Sequence, residues 1–262
     1  MRLIISLILI LLTFTACANK SNVTQENTVS TQSVKVVESE EAGDEFDDEF
    51  ASADEEVSDP LSGYNRAMTS FNDGFYVYVL DPTARGYAYV VPEIARKGIS
   101  NVFNNLMFPI RFVNNILQLK FENSMEELGR FVVNSTFGIL GLMDVADSEL
   151  GWKEHDEDFG QTLGYYGIGP GFHVVLPFLG PSNVRDIVGL SVDSFADPTF
   201  STQNDWKIPN NLEKSIGLKA LNVTNKTSLH LGEYENIKKD ALDLYPFLRD
   251  VYEQKRENEI KE

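Results

Sequence analysis

The only cysteine of the chain, Cys17, closes the segment Phe14-Thr15-Ala16-Cys17 at the end of a short apolar run. A thiol at that place is a nucleophile for acylation, so the segment reads as a lipobox and Cys17 as the acyl-carrying N-terminus of the mature protein. Arg2 supplies the positive start, Leu3 to Leu12 is almost wholly aliphatic, and Thr13 to Ala16 turns small before the cysteine, the three-part pattern of an export signal. The run is too short to remain as a spanning helix. An ordinary secretory signal with a cysteine near the cut is the alternative. A lone thiol in an oxidising compartment is a liability unless it is chemically used, which favours lipidation. Ala18 stands where an aspartate commonly signals inner-membrane retention in lipoproteins of Gram-negative bacteria, so the sequence points to the outer membrane.

Other reactive groups form no constellation. His155, His173 and His230 are widely separated and lack the spacing of a metal site. No Gly-x-Ser-x-Gly motif marks a hydrolase nucleophile. His155-Asp156-Glu157-Asp158 clusters titratable groups, but acids at a helix start are explained by the helix dipole. The stretch Gly160 to Gly171 lacks the Lys and Ser/Thr of a phosphate-binding loop, and Gly160 and Gly164, four apart, read as a close-packing pair. The chain is therefore expected to be no enzyme, with no metal and no cofactor beyond the covalent lipid on Cys17.

Charge is concentrated at one place. The formal net charge is −18 over 262 residues, and twelve acids fall between Glu38 and Asp59 without a Lys or Arg among them. Such a tract cannot bury enough apolar surface to offset its ordering entropy, so it reads as a disordered acidic tether. Nucleic acid is excluded as a partner for want of a basic stripe. The expected organisation is a signal peptide at 1–16, the acylated cysteine and acidic linker at 17–58, a helical core at 59–206, and a charged helical segment at 207–262.

The elements that must position any site are helices broken by Pro and Gly. Asp59-Pro60 predicts an N-cap followed by proline at the first helical position. Leu61, Tyr64, Met68, Phe71, Phe75 and Tyr78 then recur at helical spacing. Asp81-Pro82 is expected to end or bend that helix. Pro92 opens the next, Phe108-Pro109 breaks again, and Phe112, Val113, Ile116 and Leu117 form a stripe with Asn114 and Asn115 between them. Glu122 to Thr136 continues helical, and Gly138 and Gly141 interrupt an apolar stretch. Phe172 to Leu179 reads as extended and Ser182 as the cap of a further helix. A weak helix starts near Asn211, and a charged one runs from about Tyr234 to the end, with a kink at Pro246. No run of eighteen apolar residues follows the signal, so no conventional spanning helix is expected.

Taken in order, Asp59-Pro60-Leu61-Ser62-Gly63-Tyr64-Asn65-Arg66, Phe71-Asn72, Arg85-Gly86-Tyr87, Asn104-Asn105-Leu106, Phe112-Val113-Asn114-Asn115 and Gly129-Arg130-Phe131 resemble the MlaA family, also called VacJ. The likeness continues through Asn134-Ser135-Thr136, Asp158-Phe159-Gly160-Gln161-Thr162-Leu163-Gly164, Gly180-Pro181-Ser182 and Arg185-Asp186, over about Asp59 to Asp197. The resemblance implies a mainly α fold, a ring-like arrangement of amphipathic helices lying in the plane of the inner leaflet around a central channel. It also implies a lipoprotein that removes phospholipids misplaced in the outer leaflet and passes them to a periplasmic carrier, beside trimeric porins.

A route for phospholipid must offer polar groups to the head while keeping hydrocarbon from water. On that logic Asn72, Asn114, Asn115 and Arg130 are the candidates to face the head group. The resemblance makes Phe71, Gly138 and Gly141 candidates for a gate or hinge. Leu140 stands where the family often has another glycine, Leu119 replaces a frequent glycine, and Asp81 stands where a basic residue is common. A structural lipoprotein that organises porins or tethers the envelope is the alternative reading.

Overall fold

The computed structural model describes residues 59–202 and 209–262. Cys17, the export signal and the acidic linker lie outside the described residues. The described part is mainly helical, as the periodicity predicts, and opens with α1 (Ser62–Phe75). The Asp59 carboxylate does not cap α1. It accepts from Asn65 Nδ2 at 3.1 Å and from the Tyr245 hydroxyl, and the helix starts after Leu61 with no side-chain cap.

The chain does not break at Asp81-Pro82. A wide π-turn, Tyr76–Leu80, links α1 directly to α2 (Asp81–Val90), with the Asp81 N–H reaching back to the Tyr76 carbonyl. Pro82 falls in the first turn of α2, where its missing N–H costs least, and the wide turn absorbs the change of register. Pro92 caps α3 (Glu93–Leu106), and only Met107 separates α3 from α4 (Phe108–Leu117), whose first turn carries Pro109. After Leu119, in the left-handed region at φ 62°, comes α5 (Phe121–Thr136).

In α4 and α5 the usual amphipathic arrangement is reversed. The buried side chains of α4 are Arg111, Asn114 and Asn115, and those of α5 are Ser124, Glu127, Arg130 and Asn134. Val113, Ile116 and Leu117, and Phe121, Met125 and Val132, are exposed. The reversal extends through the described residues. Ala84, Phe103, Ala146, Val175 and Tyr245 are the buried hydrophobics, against a much longer series of buried Asn, Gln, Ser, Thr, Arg, Asp and Glu. A protein surrounded by water rarely exposes this much contiguous hydrocarbon. No helix among the described residues is long and apolar enough to cross a membrane.

A turn at 137–143 leads to α6 (Val145–Leu150), and Asp158 caps α7 (Phe159–Tyr165). The predicted extended segment is β1 (His173–Leu176), paired antiparallel with β2 (Gly180–Asn183), so that His173 lies opposite Asn183 and Leu176 opposite Gly180. Ser182 belongs to β2. The cap of α8 (Val184–Ala196) is Asn183, whose side chain accepts from the Asp186 N–H at 2.9 Å.

Gly160 and Gly189 bring α7 and α8 together backbone to backbone. A Cβ on Gly189 would stand 2.4 Å from the Gly160 nitrogen, which bears out the close-packing reading of Gly160. Asn211 caps α9 (Leu212–Leu229), followed by α10 (Glu233–Asp240) and α11 (Leu244–Lys261). The charged tail is thus two helices, and Pro246 sits in the first turn of α11 rather than at a kink, since the break falls earlier at 241–243.

Candidate functional site

Asparagine amides carry donor and acceptor on one rigid plane, and α1 uses two of them as a substitute strand. Asn65 Nδ2 donates to the His173 carbonyl at 3.0 Å while its Oδ1 accepts from the Val175 N–H at 2.9 Å. Two helical turns on, Asn72 Nδ2 donates to the Leu176 carbonyl at 2.9 Å and its Oδ1 accepts from the Phe178 N–H at 2.8 Å. Phe178, at the hairpin tip with φ 65°, packs edge-on against Phe71 and Phe75, ring centroids 5.1 and 5.0 Å away. Phe71 and Asn72 therefore act together, and what they hold is the tip of the β1–β2 hairpin.

Asn114 and Asn115 point inward from α4. Asn114 Nδ2 donates to Asp193 at 3.1 Å and its Oδ1 accepts from Thr162 Oγ1 at 2.9 Å. Asn115 Nδ2 donates to the carbonyls of Arg111 and His155, and its buried Oδ1 has no hydrogen-bond partner. Beside them Gln118 Nε2 donates to Glu157 at 2.6 Å, and Lys120 closes the other oxygen of that carboxylate.

Arg130 lies on the far side of Glu127, in a narrow polar cleft with room for about one water. Asn101, Asn104, Asn105, Arg111, Phe131, Asn134 and Asp144 complete the lining. Glu127, fully buried, accepts from Arg111 Nε at 2.8 Å and from the His155 N–H at 2.8 Å, and its Oε1 is 3.9 Å from Arg130 Nε. Arg130 donates to Asp144 at 2.8 Å and to the Trp152 carbonyl, which leaves its buried Nε–H without a partner.

Two carboxyls of this region are shifted in opposite directions. Burial alone would raise Asp144, but hydrogen bonds from Asn134, the Asp147 N–H and Arg130 outweigh it and hold the carboxyl below its usual value. Burial raises Glu154, which Arg111 at 3.2 Å only partly counters.

The residue-by-residue reading of the sequence omits Arg111, Glu127 and Asp144. The signal for Glu127 was available: Ser124, Glu127, Arg130 and Asn134 recur at helical spacing as a polar stripe. Asn105 also meets the 137–143 turn, because a Cβ on Gly141 (φ 89°) would stand 2.8 Å from the Asn105 Cβ. Gly138 is equally confined, between the carbonyls of Met143 and Asn134.

A second ionic cluster fixes the C-terminal helix. Arg256 donates to Asp186 through Nε and Nη2, both at 3.0 Å, and to Asp158 at 2.9 Å, while the Tyr252 hydroxyl donates to Asp186 at 2.7 Å. Burial would raise Asp186, but hydrogen bonds from Arg256, Arg185 and Tyr252 hold it below its ordinary value. Among the described residues no group of His, Cys, Asp and Glu is arranged to hold a metal ion.

Short helices with apolar outer sides and an interior of amides, guanidinia and carboxylates define a class: a helical body with an apolar exterior and a polar interior. The chain belongs to the MlaA lipoprotein family, whose model matches residues 57–259, well beyond the Asp197 limit of the motif resemblance. It is similar to the intermembrane phospholipid transport system lipoprotein MlaA of Escherichia coli (strain K12), 35% identical over 205 residues, 76% of this chain and 77% of that protein. An uncharacterized protein of Rickettsia bellii is 31% identical over 208 residues, 79% of this chain and 78% of that one. A solved structure concerned with maintenance of bacterial outer membrane lipid asymmetry matches with a TM-score of 0.65 and 32% identity, covering 78% of this chain and 99% of that chain.

Proposed function

We propose that this chain is a non-enzymatic outer-membrane lipoprotein, anchored through Cys17, that removes misplaced phospholipids from the outer leaflet and hands them to a periplasmic carrier. The observation that carries the reading is the reversal of polarity: exposed Val113, Phe121, Met125 and Val132 over buried Asn114, Asn115, Glu127 and Arg130. Hydrocarbon outside and polar groups inside is what an inner-leaflet body needs if it is to solvate a head group while lipid surrounds it. Kinship with proteins named for intermembrane phospholipid transport supports the same reading. The helices then form a ring around a channel, with Arg130 facing the head group and Asn72, Asn114 and Asn115 holding the wall. Phe71 and the 137–143 turn with Gly138 and Gly141 border the passage, and trimeric porins stand beside it.

The test is phospholipid in the outer leaflet of cells lacking the protein, complemented with wild type or Cys17→Ala. Accumulation that wild type reverses and Cys17→Ala does not is the expected result. Unchanged surface lipid would favour a structural lipoprotein that organises porins or tethers the envelope. Purified protein incubated with labelled phospholipid is expected to release no fatty acid, and release would assign a hydrolase instead.

A further inference from the structure

Backbone strain and exposed hydrocarbon coincide at the two ends of α5. Among the described residues, four that are not glycine lie in the left-handed region: Leu119 (φ 62°), Ile139 (φ 54°), Leu140 (φ 57°) and Phe178 (φ 65°). In that region the Cβ crowds the following carbonyl, and a β-branched residue such as Ile139 is the least tolerant. Glycine adopts it freely and asparagine more readily than most, so turns and helix ends ordinarily carry one of those two. Phe178 packs on Phe71 and Phe75 in holding the hairpin tip, which answers for its choice. The other three are large, apolar and outward: Leu119 is 60% exposed, Ile139 61% and Leu140 77%.

The backbone at these places is held by main-chain bonds and one amide. The Leu119 N–H donates to the Ile116 carbonyl at 3.0 Å and the Lys120 N–H to the Asn115 carbonyl at 2.9 Å, the bond pair of a left-handed helix end. At the other end of α5 the Gly141 N–H donates to the Asn134 carbonyl at 2.8 Å and the Met143 N–H to the Gly138 carbonyl at 2.9 Å. Asn101 Nδ2 donates to the Leu142 carbonyl at 3.1 Å. None of these bonds needs a leucine or an isoleucine. In water, glycine would lower both the strain and the exposed hydrocarbon. The pairing of the two is favourable where hydrocarbon receives the side chain, because burying a large apolar group outweighs the strain of one left-handed residue.

The flanking sequence selects what receives them. No Asp, Glu, Lys or Arg occurs from Phe112 to Leu119 or from Phe131 to Met143. A protein interface carries a polar rim, whereas an acyl layer asks for none. We propose that Leu119, Ile139 and Leu140 are lipid anchors, left-handed turns that set large side chains among the acyl chains of the leaflet, with the strain offset by that contact. The sixteen residues of α5 hold the two turns about 24 Å apart, so anchors at both ends fix how α5 lies in the leaflet. The inference rests on the membrane-embedded body of the proposed function and names the residues that grip the lipid.

The experiment uses the full-length chain carrying Cys17→Ala, so that no covalent lipid holds it, with vesicles of phosphatidylethanolamine and phosphatidylglycerol separated by flotation. Leu119→Gly together with Leu140→Gly relieves the strain and removes the side chains. The bound-to-free ratio is expected to fall at least about tenfold relative to the same chain without them, with the far-ultraviolet circular dichroism unchanged. An unchanged ratio, or a loss of helical signal, would overturn the assignment, the second because the two leucines would then be needed for the fold itself. In cells, the lipidated full-length protein with benzoylphenylalanine in place of Leu119, Ile139 or Leu140 is expected to form light-induced adducts with phospholipid. Adducts with protein in place of lipid would overturn the proposal and give these turns to a protein interface. Outer-leaflet phospholipid is a separate readout: surface lipid indifferent to loss of the protein, with partition still dependent on the two leucines, would sink the transport reading and leave the anchors standing.

Discussion

Asn65 is the residue on which the hairpin register depends. Its amide spans the His173 carbonyl and the Val175 N–H, and Nδ2 also lies 3.2 Å from the Tyr245 hydroxyl, all in a fully buried place. Asn65→Leu keeps the volume but strands a backbone donor and a backbone acceptor, each costing about 1–3 kcal/mol when unsatisfied. The expected outcome is a loss of about 2–4 kcal/mol in denaturant unfolding, against a loss within about 0.5 kcal/mol for the exposed Arg66→Gln. Equal effects in the two variants would show that the amide ladder contributes nothing. Asn72, on the less buried second rung, is expected to loosen the hairpin tip, so Asn72→Leu should speed proteolysis near Phe178 more than it lowers overall stability. Asparagine was legible here as a recurrent polar residue on an apolar helix. Its partners, about a hundred residues away, were not.

At the scale of elements, the α7–α8 crossing and the docking of α11 make separate predictions. Gly189→Ala forces a Cβ into the Gly160 backbone, which cannot yield as a flexible side chain does, and should cost about 1–3 kcal/mol of overpacking. Gly217→Ala, where a Cβ meets nothing within 4 Å, should be neutral or stabilising. A unit change in that order, with Gly217→Ala the more damaging, would contradict the crossing.

The Arg256 cluster predicts an acid limit. Asp186 has a folded pKa below its unfolded value, so it contributes stability that is complete above about pH 4 and is lost as pH falls through the folded value. Asp186→Asn is expected to lower stability at neutral pH and to flatten the fall of the unfolding midpoint below about pH 4. A fall as steep as in wild type would place the acid sensitivity elsewhere. Arg256→Met takes from Asp158 its ion-pair partner and leaves Asp186 with Arg185 alone, and a loss of about 3–5 kcal/mol is expected. The alternation of short helices with Pro and Gly was readable before the structure. The continuity of α1 into α2 was not, because a proline in the first turn of a helix and one that ends a helix look the same when the π-turn before it is unseen.

For the whole molecule, the reversal of polarity sets where hydrocarbon should be found. Single-cysteine variants in a Cys17→Ala background at Phe121, Phe137 and Leu140, all exposed, should carry a fluorophore that brominated acyl chains quench in reconstituted bilayers. The same label at Lys255 or Lys261 on the charged α11 should be quenched several-fold less. Equal quenching at both sets would mean that the apolar exterior meets another protein and not lipid. The charged helices α10 and α11, which read as a tail, are held to the rest by Arg85 to Glu235 at 2.8 Å, Lys238 to Asp73 at 2.7 Å and the Arg256 cluster. Removing 244–262 is therefore expected to unfold the body and not merely to shorten it, as judged by loss of protection from protease in detergent.

The amino-acid sequence by itself determined the helical class, the acidic tract and the family likeness, because these rest on local spacing and on residue types in order. Periodicity states that two sides of a helix differ in polarity. It does not say which side faces in. Only the tertiary structure decided that Asn114, Asn115, Glu127 and Arg130 turn inward while Val113, Phe121 and Met125 turn out. In water the apolar side is the one usually buried, and periodicity carries no separate mark for a helix in which that rule is reversed. The cleft at Arg130 was hidden for a related reason: its lining comes from α3, α4, α5 and the turn that carries Asp144, and no stretch of neighbouring residues contains it.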